Sequence, residues 1–232
     1  MILTQFKWKT CLVYLDDVII FSNSVEEHIR HVDEILTALE EAGVTLKISK
    51  CRFFTKQVEY LGHFISPGSL EADTTNAKCL KDAAPATTKT EVRSFLGMAN
   101  YYRRFIEDFT RKSAPLNELL LKDSPDKFEL SPAQTAAFSQ LIEEILSPRI
   151  LALPRKDRPY SVDTDASNYG IGCSLFQLDD EGVRRPIGFW SRTLTAAEKN
   201  YSATERECLA AIFAIKTPVS YTHLTLPTIY SV

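Results

Sequence analysis

Two adjacent carboxylates, Asp16 and Asp17, stand between two short runs of β-branched and aromatic residues, CLVYL before them and VIIFS after them. Runs of this kind read as strands, and the acidic pair as the tip of the hairpin that joins them. Carboxylates held side by side on a tight turn repel each other, and a divalent cation relieves that repulsion. Oxygen donors suit Mg2+, with Mn2+ as the other candidate. Two such ions can activate an attacking hydroxyl and stabilise a leaving group in phosphoryl transfer. An ordinary acidic turn contains the same residues, so the pair alone does not decide.

Further downstream, Asp165 lies in the stretch VDTDASNYGIG (162–172), at the end of an extended run and before small residues. Glu205 and Glu207 open a helical stretch in YSATERECLAA (201–211). Carboxylates so far apart in sequence are as readily unrelated surface acids. A basic stripe is a third candidate: Arg93, Gly97, Asn100 and Arg104 recur at helical spacing, with Arg103, Arg111 and Lys112 close by. A solvated helix face has that composition too. Gly97 argues for close approach of a ligand or backbone, since a mid-helix glycine costs about 1 kcal/mol relative to alanine. His28 and His31 lie three apart on a helix with no third ligand in view and read as packing or surface groups. Gly62 with His63 is either a strand bulge or a point of backbone contact.

The elements that must position these groups follow from periodicity. Ser24 and Glu27 form a helix-start pair, and Ile29, Val32, Ile35, Leu36 and Leu39 make one apolar stripe ending at Gly43, expected to face a core. Extended pieces are expected at 45–48, 51–55 and 58–65, closed by a Pro67-Gly68 turn. Residues 90–106 carry Val92, Phe95, Leu96, Ala99, Tyr102 and Ile106 on one helical face. A shorter helix fits 114–121, and Ser131-Pro132 with Gln134 starts another that runs to about 146. The Pro-rich stretch 148–159 is the clearest boundary. Beyond it come strands at 160–165, 170–177 and 186–191, a turn at 179–182, and a helix over 196–215 that Pro218 is expected to end. The Thr-rich remainder, 217–232, has no period and reads as a non-native or disordered tail.

Composition narrows the class. Of 232 residues 44% are hydrophobic and 25% charged, enough apolar surface for real cores. A net charge of −3 gives no global sign of nucleic-acid binding, so any such binding rests on a local patch. Five scattered cysteines without a Cys-x-x-Cys pair argue against a disulfide framework or a zinc site and imply a reducing, intracellular setting. No secretory leader or apolar run of membrane-spanning length is present, so no membrane partner is expected.

The segment WKTCLVYLDDVIIFS (8–22) resembles the palm turn of reverse transcriptases from gypsy-type long-terminal-repeat retrotransposons. The likeness continues through His28 and His31, the Lys50-to-Phe53 element, YLGHFIS (60–66) as primer grip, RSFLGMANYYRRFI (93–106) as thumb and connection helix, and 162–172 with 201–211 as the opening of an RNase H-like domain. It covers about residues 3–216. The fold it implies is α+β or mixed: a partial palm over 1–66, a helical thumb and connection over 67–153, the first part of an RNase H-like α/β domain over 154–216, and the tail over 217–232. The function it implies is RNA-directed DNA synthesis at Asp16 and Asp17, with hydrolysis of RNA in RNA–DNA hybrids at Asp165 and Glu207, the last chosen over Glu205 by the Glu-x-Leu-Ala spacing. Each complete site holds two Mg2+ or Mn2+ ions. Tyr14, Leu61, Gly62, His63, Arg93, Gly97, Asn100, Arg103 and Arg104 are the implied contacts to the template-primer, and deoxynucleotides are substrates of the complete enzyme. The location implied is cytoplasmic or within virus-like particles; the oligomeric state is open.

The resemblance also implies what these residues lack. A third palm aspartate is expected before Met1, and further RNase H aspartates after Lys216, so the chain is expected to be a truncated piece, inactive by itself. A catalytically dead remnant and a domesticated nucleic-acid-binding or interaction module are the alternatives.

Overall fold

The computed structural model describes residues 2–224, with Asp82 and 219–224 as backbone only. Strands β1 (Cys11–Tyr14) and β2 (Asp17–Ile20) pair antiparallel in register, Cys11 opposite Ile20 and Tyr14 opposite Asp17. Helix α1 (Val25–Glu41) follows, its Ser24 hydroxyl accepting the Glu27 N–H at 3.1 Å. It stops at Gly43, whose φ of 71° is the left-handed geometry that closes a helix end, with the Val44 N–H returning to the Leu39 carbonyl. The apolar stripe of α1 faces a core only in part: Ile35 is buried with Leu3 and Cys11, whereas Ile29 is exposed.

Residues 45–57, expected to hold two extended pieces, contain a single 3₁₀ turn at Ile48–Lys50 and no strand. The piece expected at 58–65 is in fact a hairpin, β3 (Val58–Tyr60) and β4 (His63–Ser66), and β5 (Ser69–Ala72) joins β4 across the Pro67-Gly68 turn. The fourth strand of this sheet, β6 (Leu151–Ala152), comes from the Pro-rich boundary and pairs with β5.

Helix α2 (Lys89–Tyr102) begins with a reciprocal Thr88–Glu91 capping box and buries Val92, Phe95, Leu96, Ala99 and Tyr102, one stripe at helical spacing. It ends at Tyr102 instead of running on to Ile106, and a 3₁₀ turn over Arg103–Phe105 redirects the chain. Helices α3 (Phe109–Glu118) and α4 (Pro132–Leu146) follow, the second started by a Ser131–Gln134 capping box with Pro132 in the first turn. Phe105, Ile106, Leu116, Leu141, Ile145 and Leu151 are all fully buried in one core, which reaches from Leu12 in β1 to Phe189.

The last sheet has the order β7 (Ser161–Ala166), β8 (Gly170–Leu178), β9 (Arg184–Thr193), antiparallel throughout. Helix α5 (Ala203–Leu224) packs on β7 and β8. It continues through Pro218, which was expected to end it. Proline has no N–H for the Ala214 carbonyl, a defect of about 3 kcal/mol, but its ring is fully buried here and that packing opposes the loss. Residues 225–232 of the expected tail lie outside the described residues. No helix among the described residues is long and apolar enough to cross a membrane.

Candidate active sites and nucleic-acid interface

The β1–β2 pairing leaves Leu15 and Asp16 as a two-residue turn. Leu15 has a φ of 52°, a left-handed conformation that is strained for a leucine, and its side chain is 84% exposed. Buried Cys11, Leu12 and Ile19 hold the strands from below, so Asp16 and Asp17 are presented to solvent on a rigid tip beside an exposed Tyr14. Asp17 also lies within electrostatic reach of the next hairpin: the Tyr60 phenol is pushed up first by burial and then by the Asp17 carboxylate.

That second hairpin turns through Leu61 and Gly62, with φ values of 52° and 72°. Two positive values are what a tight turn between right-twisted strands requires. Tyr101, near the end of α2, fastens it: the hydroxyl reaches the carbonyls of Leu61 at 3.1 Å and Gly62 at 3.2 Å. His63 Nδ1–H donates to the Leu61 carbonyl at 2.8 Å, and its ring stacks on Phe105 with centroids 5.7 Å apart. Burial holds the His63 pKa below its usual value, opposed by the Leu61 bond and reinforced by Arg104, which keeps the ring neutral at pH 7. Tyr101 is a residue that sequence reading missed. Its signal was the Tyr101-Tyr102 pair, of which only Tyr102 fits the buried stripe.

The basic stripe divides. Arg93, Gly97 and Asn100 are exposed on α2, and a Cβ at Gly97 would meet nothing within 4 Å. Arg104, expected on the same face, and Arg103, expected close by, both lie in the 3₁₀ turn beyond the helix end. Arg103 donates to the Ser191 carbonyl and, at 3.2 Å, to Asn100 Oδ1, and Arg104 donates to the Ile187 carbonyl at 3.4 Å. Both therefore tie the helical segment to β9. His28 and His31 converge on the Ser22 hydroxyl at 3.2 and 2.7 Å, which accords with a packing role.

In the last sheet the side chains of β7 alternate. Ala166 packs with Leu209, Ala210 and Phe213 of α5, so Asp165 points to the opposite face. There it lines a concavity with Asp108, Thr110, Arg111, Gly172 and Ser191. Asp108 caps α3 from a left-handed backbone (φ 54°); burial raises its carboxyl pKa, Arg111 lowers it and Asp165 raises it further. Thr110 locks this corner, its N–H and hydroxyl both donating to the buried Ser191 Oγ at 3.1 and 2.9 Å.

On α5, Glu205 accepts the Ser202 N–H at 2.8 Å and is committed to the helix cap. Glu207 makes no such bond and stands three and seven residues before the buried Ala210 and Ala214, on the stripe that meets the sheet. Among the described residues, no group of three His, Cys, Asp or Glu side chains is arranged to hold a metal ion. The oxygen donors on hand suit a hard divalent cation, yet each site offers only a partial shell.

The turn over Glu198–Asn200 that leads into α5 is held to the sheet by a bidentate link: Arg192 on β9 donates through Nη1 and Nη2 to Glu198, each at 2.8 Å. With the Thr195 N–H, that guanidinium holds the Glu198 carboxyl down to about 2. The unfolded value is about 4.3, so the stabilisation is complete above it and disappears as pH falls towards 2. Urea unfolding of wild type and Glu198→Gln from pH 6 to pH 2 is expected to show a stability gap that closes across this acid window. A gap independent of pH would contradict the assignment.

Family models match two parts of the chain: reverse transcriptase (RNA-dependent DNA polymerase) over residues 1–65 and the RNase H-like domain found in reverse transcriptase over 130–229. The Pol polyprotein from transposon gypsy of Drosophila melanogaster is 38% identical over 217 residues, 89% of this chain and 20% of that protein. That from transposon opus of the same organism is 34% identical over 223 residues, 92% of this chain and 22% of that protein. The chain thus spans about a fifth of the length of these relatives. Among solved structures, the foamy viral protease-reverse transcriptase in complex with RNA/DNA hybrid matches 90% of this chain and 28% of its own, at a TM-score of 0.76 and 20% identity. That likeness establishes the mixed α/β fold. The chain belongs to the Pol polyprotein family of gypsy-type long-terminal-repeat retrotransposons, of which it carries reverse transcriptase and RNase H-like sequence.

Proposed function

We propose that this chain contributes to two phosphoryl-transfer sites of its parent polyprotein, RNA-directed DNA synthesis at Asp16 and Asp17 and hydrolysis of RNA in hybrids at Asp165 and Glu207. The observation that carries this reading is the palm turn, two solvent-facing carboxylates on a strained, rigidly backed tip beside the β3–β4 hairpin. Both matched families work with divalent cations, and Mg2+ is the ion proposed. When bound, such ions neutralise the carboxylates and polarise the phosphoryl oxygens.

The chain's own residues then do four things. Asp16 and Asp17 hold cation at the primer end. Leu61, Gly62 and His63, fastened by Tyr101, present a backbone edge to the primer strand, and exposed Tyr14 and Leu15 lie against the duplex next to the turn. Arg93, Gly97 and Asn100 offer a small, positively charged helix face to phosphates. Asp165, on the α3 side of the last sheet, and Glu207, on the α5 side, are the ligands proposed to hold cation in the complete hydrolytic domain. Arg103 and Arg104 serve this interface indirectly, by fixing β9 to the helical segment.

Primer extension on an RNA template with Mg2+ tests the reading. The 232 residues alone are expected to give no product, since two carboxylates make an incomplete shell. Supplied with the upstream segment bearing the third aspartate, the protein should extend the primer, and Asp16→Asn should reduce that rate at least about 100-fold, as for loss of a principal charge-stabilising group. Product that survives Asp16→Asn would overturn the assignment.

A further inference from the structure

Two guanidiniums lie against the loop that follows Asp165. Arg111, on the first turn of α3, lines the concavity that holds Asp165 and Ser167. Its Nη2 donates to Asp108 Oδ2 at 2.7 Å, and its side chain is 61% exposed. Arg206 immediately precedes Glu207 on α5. It donates through Nη1 to Asn168 Oδ1 and, at 3.4 Å, to the Ser167 carbonyl, and through Nε to the Ser202 carbonyl at 3.4 Å. The two arginines therefore meet at the loop that leaves β7, one from the α3 side and one from the α5 side.

Neither position is needed to close the core. Each guanidinium is already oriented by a short local bond, so docking an anion onto it costs little further side-chain entropy. Neither bond uses all five donors of the fork, and a phosphate matches what remains. Asp165 lies in the concavity with Arg111, and Glu207 follows Arg206 in α5; these carboxylates would by themselves repel a polyanion.

We propose that Arg111 and Arg206 form a two-sided clamp on the phosphate backbone of an RNA–DNA duplex, seating it over Asp165. One jaw belongs to the helical segment and the other to the RNase H-like unit, so the clamp exists only while α3 is docked on β9 through Thr110 and Ser191. The clamp rests on the reading of Asp165 as a hydrolytic group, and its partner is the sugar-phosphate backbone, recognised without regard to base sequence.

Fluorescence anisotropy with an end-labelled RNA–DNA hybrid, in EDTA so that no turnover intervenes, tests it on the full 232-residue chain. Arg111→Gln and Arg206→Gln are each expected to raise Kd about 3- to 10-fold at ~0.1 M salt and to lower the slope of log K against log salt by about 1. The double variant should lose close to 2 in slope. Arg185→Gln, at the far end of the sheet where Arg185 pairs with Asp179, should change neither quantity. Arg111→Lys and Arg206→Lys should restore the slope while recovering only part of the affinity, which separates phosphate contact from misfolding. Tight hybrid binding with slopes unmoved in both Gln variants would overturn the clamp alone. Failure of the wild-type chain to bind hybrid at all would overturn both the clamp and the hydrolytic reading beneath it.

Discussion

Gly170→Ala is expected to lower the unfolding free energy by about 2–3 kcal/mol, the scale of overpacking at a site that cannot relax. A Cβ there would stand 2.6 Å from the Arg192 carbonyl oxygen and 2.9 Å from Thr110 Cγ2. The first is backbone of β9, fixed by the ladder that sets Gly170 opposite Thr193 and Ile171 opposite Arg192. The second belongs to a residue pinned by two hydrogen bonds to Ser191. Relief requires either a strand shift or the withdrawal of α3 from the sheet. Gly172→Ala is the control: its nearest neighbours would be the Trp190 carbonyl at 3.5 Å and Asp108 Oδ1 at 3.6 Å, ordinary contact distances, and it should cost under about 1 kcal/mol. Urea unfolding followed by tryptophan fluorescence compares the two directly. Equal midpoints for both variants would refute the account of this corner.

At the other hairpin, Gly62→Ala is expected to cost about 2 kcal/mol, and the reason can be divided. The backbone φ of 72° penalises any side chain by about 1 kcal/mol. In addition, a Cβ would lie 2.1 Å from the Tyr101 hydroxyl. That hydroxyl is the free end of a half-exposed side chain, so it swings away and surrenders its bonds to the Leu61 and Gly62 carbonyls, worth about 1 kcal/mol. In a Tyr101→Ala background the second term is already lost, and Gly62→Ala should then cost only the backbone term. A double-mutant cycle measures the difference. Strict additivity would show that Tyr101 does not latch the hairpin. In the parent enzyme, Tyr101→Phe should weaken primer use more than overall stability, because the hairpin it holds is the proposed primer contact.

Several structural features could be read from residues alone because their causes are local. The Ser24 and Ser131 caps, the buried stripe of α2 and the three hairpin-linked strands each depend on neighbours within a few positions. The Asp16-Asp17 turn was legible for the same reason, since the short β-branched and aromatic runs on either side read as its strands. Where the cause is distant, periodicity misleads. The helical spacing of Arg104 with Arg93 is real arithmetic, yet the chain leaves the helix at Tyr102 because Phe105 and Ile106 are drawn into the core. Pro218 lies inside α5 because its ring is buried there, which no rule about proline in isolation includes. The pairing of β6 with β5 depends on a strand from beyond three intervening α-helices.

The sequence by itself singled out the candidate groups: carboxylates at Asp16, Asp17, Asp165 and Glu207, and a basic face on α2. Carboxylate and guanidinium chemistry is a property of residue type, and the family's motifs preserve type and order. Only the tertiary structure decided how those groups are held. It tied Arg103 and Arg104 to β9, placed Asp108 and Arg111 beside Asp165, and put Tyr101 on the β3–β4 turn. Each of these depends on a bond of about 3 Å between atoms far apart in the chain or on the direction of one side chain, and neither quantity is encoded in spacing along the sequence.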